Sequence, residues 1–445
     1  MNDHSSRFVT GQFAPVLEEA TITDLRVTGE IPRELVGRYV RNGPNPLGPV
    51  GRDHHWFLGE GMLHGIRLRD GKAEWYRNRA VRAGTVPASL GERDPGGPKG
   101  FKGVDAAPNT NVLTLGGRTY ATVEGGINPV EFDFDLNTIS RSDFGGVLTN
   151  GFTAHTRHDP ETGEHHAMIY NFAAPGKAHY LRLAGDLGVL NRITLPLSGA
   201  TLVHDMAITR RHAVVFDLNL GMSIPKLLQR KFVPTFNPRR PGRVGVVPID
   251  GSARDVRWFE VDPCFIFHAM NAHEEDGAIL IDVCRYDGAD AGADALGGHA
   301  TLDRWRLDLS GASARVREER LDDVGHEFPQ VNEGVTGRPY RYGYAIATDS
   351  PGRILKRDFL TGSTEVHAVD YGTAGEFAFV PRAGATAEDD GWLMGFVTHA
   401  EGASSTFLIL NAADLSGEPA ARIEVPRRIP LGFHGTFIPD RDIRS

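Results

Sequence analysis

Cysteine is nearly missing from this chain. Only Cys264 and Cys284 occur among 445 residues, both in apolar strand-like runs. Two buried free thiols are therefore expected in place of a disulfide framework. Basic charge is also short: 48 lysines and arginines face 57 acidic residues, a net charge of −9. That balance argues against a nucleic-acid partner. No apolar run approaches the length that spans a bilayer, and the polar stretch Met1 to Gly11 lacks the hydrophobic core of a signal peptide. A cytoplasmic protein is expected. Long helices are disfavoured too, because 53 glycines and 27 prolines break the chain into short strands and turns.

What is present is a histidine in a recurring setting. His268 follows Phe265-Ile266-Phe267 and precedes a turn and the strand Ala278 to Val283. An imidazole among apolar residues is costly unless it is hydrogen-bonded or bound to a metal. Taken singly it reads as a satisfied core histidine. Three others share its setting, however. His155 precedes the turn Asp159 to Gly163 and the strand Ala167 to Tyr170. His204 precedes the turn at Arg210-Arg211 and the strand Ala213 to Phe216. His434 sits in Gly432-Phe433-His434-Gly435-Thr436-Phe437. Four imidazoles at equivalent places of a repeated unit form a candidate metal site.

Glutamates occur at similar places: Glu124 beside Tyr120 to Val123, Glu327 before Phe328-Pro329, and Glu376 before Phe377 to Val380. Successive intervals between the seven positions are 31, 49, 64, 59, 49 and 58 residues. Apart from the first, these centre on the length of a four-stranded propeller blade. Seven positions predict an all-β, seven-bladed β-propeller, with 445 residues shared out at about 64 per blade. A single propeller domain over residues 1–445, with capping insertions, is expected. The interval of 31 does not fit; either two positions share a blade, or the N-terminus closes the ring.

By ligand type alone, four imidazoles suit zinc, copper, iron or nickel. Glutamates are suited to accept the second ring N–H of a metal-bound histidine, which sets its tautomer and orientation.

With these residues laid out, the chain resembles the carotenoid cleavage oxygenases. The matching segments run from about Arg38 to Pro439. They include Arg41-Asn42-Gly43-Pro44-Asn45-Pro46, His55 to His64, Asn109-Thr110-Asn111-Val112, Glu124-Gly125-Gly126, Thr153-Ala154-His155 and Val203-His204-Asp205. Further on come Phe267 to Ala272, Glu327-Phe328-Pro329, Gly375-Glu376-Phe377 and Phe433-His434-Gly435. The resemblance implies a seven-bladed propeller with a loop or helix cap over its top face. It also implies Fe(II) held by His155, His204, His268 and His434, three of them oriented by Glu124, Glu327 and Glu376. The implied reaction is cleavage of a C=C bond by O2 to two carbonyl products, with no side-chain acid or base required.

An apolar tunnel would hold the substrate; Phe101, Phe152, Phe172, Phe265, Phe328, Phe377 and Trp392 are candidates to line it. The stilbene-cleaving branch of the family generally carries a lysine just before the first of these glutamates. Val123 stands there in this chain, which favours a carotenoid or apocarotenoid over a phenolic stilbene; cleavage of a stilbene or phenylpropenoid is the alternative. The segment Leu220 to Arg243 mixes apolar and basic residues, either to rest on a membrane surface or as a solvated cap. Asp287 to Gly298 reads as a surface loop, and His158, His165 and His166 as solvated turn residues. Two other classes stay open: a calcium-dependent propeller hydrolase, against which the imidazole-rich set argues, and a non-cleaving carrier or isomerase.

Overall fold

The computed structural model describes residues 6–223, 234–288, 298–311 and 313–443. Seven four-stranded antiparallel sheets, two of them extended by a fifth strand, make up nearly all of it. The cap residues 224–233 and most of the 287–298 loop lie outside the described residues. The flanks of the cap, Leu220–Met222 and Pro234–Phe236, pair as a two-stranded ribbon.

Each of these seven sheets is a blade with one strand innermost. These inner strands are Asn111–Leu115, Thr156–His158, Met206–Ile208, Cys264–Glu275, His326–Gln330 and Gly372–Pro381 for blades 2 to 7. Blade 1 is built from both ends of the chain: its inner strand is Gly435–Pro439, and its outer strands are Gly37–Pro44, Gly61–Arg69 and Lys72–Ala80. The ring thus closes by pairing Gly37 with Pro439 through to Arg41 with Gly435. Glycine is needed at 435, since a Cβ there would stand 2.3 Å from the Tyr39 hydroxyl oxygen. The blade strands are buried on both faces, which explains continuous apolar runs such as Cys264–Ala272 in place of strict alternation.

The interval of 31 now has a structural reason. Six of the seven positions sit on, or just before, an inner strand. Glu124 instead follows the second strand of blade 2, Arg118–Thr122. The equivalent place in blade 2 is held by Thr110, next to the inner strand Asn111–Leu115. Gly125 and Gly126, at φ +87° and +105°, turn the chain away immediately after Glu124.

Both cysteines are free and buried. His166 departs from the expectation of a solvated turn residue: it lies on the strand His165–Tyr170, buried, with Nδ1 2.7 Å from the Tyr180 hydroxyl. No helix among the described residues is long and apolar enough to cross a membrane.

Candidate metal centre

His155, His204 and His434 each stand at the entrance to an inner strand, and His268 lies within one. Radial packing of the blades brings these four entrances to the axis. One ring nitrogen from each histidine lies within 4.8 Å of those of the others. His155 Nε2 is 3.1 Å from His204 Nε2, and His268 Nε2 is 3.2 Å from His434 Nε2.

The Nδ1 atoms point outward to carboxylates. His204 Nδ1 is 2.6 Å from Glu124 Oε1, His268 Nδ1 is 2.5 Å from Glu327 Oε2, and His434 Nδ1 is 3.0 Å from Glu376 Oε1. A proton on each Nδ1, donated to its carboxylate, leaves the Nε2 lone pair directed into the cluster. His155 has no carboxylate hydrogen bond among the described residues; its backbone N–H donates to Thr153 Oγ1 at 3.3 Å.

Two of these carboxylates are themselves anchored. Glu327 accepts from the Phe328 N–H at 2.7 Å and the Tyr286 hydroxyl at 3.0 Å. Glu376 accepts from Gln330 Nε2 and from the Gly435 N–H, both at 2.8 Å. Burial pushes the carboxyl of Glu327 up to about 7 against the pull of those donors. Burial also holds His155 and His268 well below the usual imidazole range. Burial acts the same way on His204, but the adjoining Glu124 carboxylate outweighs it and raises that group. Neutral imidazoles are the form that binds a metal, and a dication in their midst would favour ionised carboxylates around it. Four inward nitrogens, three of them on rings braced by carboxylates, therefore fit a transition-metal ion.

Three inner strands break register at the centre. The ladder of Cys264–Glu275 shifts on both sides of Ala269, that of His326–Gln330 between Glu327 and Gln330, and that of Gly372–Pro381 between Ala374 and Phe377. Such bulges redirect side chains next to functional sites. Phe328 takes φ +51°, a strained value for a bulky residue. Its ring packs 5.7 Å from that of His268 and 5.3 Å from that of His434.

An apolar cavity of about 430 Å³ opens onto His204, His268 and His434. Of the seven aromatics expected along it, Phe172 and Phe328 line it. The other five do not border it. Phe152, Phe265, Phe377 and Trp392 are packed in the cores between and within blades. Phe101 lies in a short helical turn, its N–H bonded to Gly126 O at 2.8 Å. The remaining aromatic wall comes from Phe57, Tyr170, Phe267 and Phe433. Position offered a signal for two of these, because Phe267 and Phe433 immediately precede two of the clustered histidines. Val123 also lines the cavity, and no lysine or arginine does so among the described residues.

The profile of the RPE65 family (retinal pigment epithelial membrane protein) matches residues 13–439. A carotenoid cleavage oxygenase of Mycobacterium tuberculosis is 38% identical, over 97% of both chains. A carotenoid 9,10(9',10')-cleavage dioxygenase 1 of Arabidopsis thaliana is 30% identical, over 98% of this chain and 91% of the relative. Among solved structures, a lignostilbene dioxygenase of Pseudomonas brassicacearum superposes with a TM-score of 0.87 at 25% identity, covering 98% of this chain and 99% of its own. A Synechocystis apocarotenoid oxygenase variant gives a TM-score of 0.83 at 27% identity, covering 98% and 97%. The chain belongs to the carotenoid cleavage oxygenase family, and is a dioxygenase-type enzyme.

Proposed function

We propose that this enzyme cleaves a C=C bond of a carotenoid or apocarotenoid with O2, using Fe(II) held by His155, His204, His268 and His434. The observation that carries this reading is the convergence of four histidine ring nitrogens, with His204, His268 and His434 lining the end of an apolar cavity that no lysine or arginine borders among the described residues. Bound ferrous ion would supply the activation of O2, which the side chains of this cavity cannot perform. The protein's own part is positional. Glu124, Glu327 and Glu376 hold three imidazoles in one tautomer, and the aromatic wall presents an apolar chain to the centre while excluding water. One O2 per alkene accounts for the oxygens of two carbonyl products.

Cleavage of a stilbene or phenylpropenoid is the second reading, supported by the likeness to the lignostilbene dioxygenase. Val123 and the lack of a lining lysine or arginine among the described residues weigh towards the polyene. Fe(II)-reconstituted protein is expected to convert apocarotenals to shorter aldehydes, consuming about one O2 per bond cut. Turnover of hydroxystilbenes alone would overturn the substrate assignment. Turnover without O2 uptake would point to isomerisation, and calcium bound without iron to a hydrolase.

A further inference from the structure

Two separate cavities end at the four histidines. The apolar one meets the centre from the side at which the inner strands enter, and a second, of about 150 Å³, meets it from the side towards which they run. His268 and His434 border both. His204 and Glu124 face only the first, and His155 and Glu376 only the second. Strand direction explains the division: Phe267 and Phe433, just before their histidines, face the apolar cavity. Ala269, Met270, Gly435 and Thr436, just after them, border the second.

The second wall is polar. Three carboxylates, Asp205, Glu333 and Glu376, stand along it against one guanidinium, that of Arg157. Arg157 is already engaged by Asp205 and by the backbone oxygens of Met206 and Ala269. Asn111, His158 and Gln330 add further polar groups, and the exposed Glu333 carries the wall to the molecular surface.

We infer that this polar cavity is the route by which the metal ion enters and leaves the centre, leaving the apolar cavity to the substrate. The inference rests on the four-histidine metal site proposed above. A hydrated dication loses stabilisation wherever its water is stripped without replacement, as it would be along an aromatic wall. Oxygen and imidazole groups can replace that water stepwise, and an excess of carboxylates raises the local cation concentration.

Co(II) binding to the full-length apo-protein tests this, with uptake followed by stopped-flow absorption and removal by EDTA. Glu333→Lys, an exposed change, is expected to slow uptake about tenfold at low salt, with the effect fading at high salt. Leu113→Trp, which narrows the same cavity, should slow both uptake and removal. Val104→Trp, at the exposed edge of the apolar cavity, should change neither. Unaltered rates in the Glu333 and Leu113 variants, or equal slowing by Val104→Trp, would overturn the route alone. An unmodified protein that binds no Co(II) would overturn the four-histidine site, and the route with it.

Discussion

Two of the carboxylates at the centre, Glu327 and Glu376, each link one imidazole to further fixed points. Glu376 joins His434 to the backbone of Gly435 and to Gln330, while Glu327 joins His268 to Phe328 N–H and Tyr286. Glu327→Gln would turn one acceptor into a donor facing Phe328 N–H or Tyr286, and remove the charge that makes the His268 nitrogen basic. We expect metal affinity to fall about 10- to 100-fold in that variant, read by titration of apo-protein with metal. Alanine at any of the four histidines should remove metal occupancy and alkene cleavage together, by metal analysis and product assay. The histidines and glutamates were legible as residue types in repeated settings. The aromatic wall was less so, because Phe265 and Phe267, two positions apart, both pack in one core and only Phe267 also borders the cavity.

Among the strands, the closing pair of blade 1 governs the position of His434. Asn42 N–H donates to His434 O at 3.0 Å, and Phe433 N–H donates back to Asn42 O at 3.0 Å. The Asn42 side chain, fully buried, donates to Pro108 O at 3.0 Å and Asn111 O at 3.3 Å, and accepts from Gly43 N–H at 2.9 Å. It therefore ties the closure to the inner strand of blade 2. Asn42→Ala would leave these backbone groups buried and unpaired, a loss of about 2 kcal/mol. A lower denaturation midpoint and weaker metal retention are the expected measurements. The Arg41-Asn42-Gly43-Pro44 segment was visible as a motif, but its partners lie far along the chain. The register breaks at Ala269, Glu327 and Glu376 were likewise hidden, since a bulge depends on pairing with a second strand.

Across the molecule, buried and half-buried histidines outside the centre make acid a specific threat. Burial lowers the half-buried His55 and His165 and the buried His166 to about 4, and holds the buried His64 well below the usual imidazole range. Unfolded, these groups would titrate near 6.5, so the unfolded chain binds more protons between pH 6.5 and 4. Their stabilising contribution is whole above pH 6.5 and is lost as pH falls towards 4. His166→Gln, which can still accept from the Tyr180 hydroxyl, should flatten that loss, seen as a smaller fall in denaturation midpoint between pH 7 and pH 4.5.

Chain chemistry by itself determined the strand-and-turn texture, the buried free thiols, the seven polar positions and the seven-fold count, because these follow from residue type and spacing. Tertiary structure alone decided that Glu124 reaches the centre from a second strand, that only Phe172 and Phe328 of the seven aromatics border the apolar cavity, and that a polar cavity backs the histidines. Those outcomes depend on how blades pack around a common axis, and on which residue faces which neighbour across gaps of tens to hundreds of positions. Local periodicity carries no record of either.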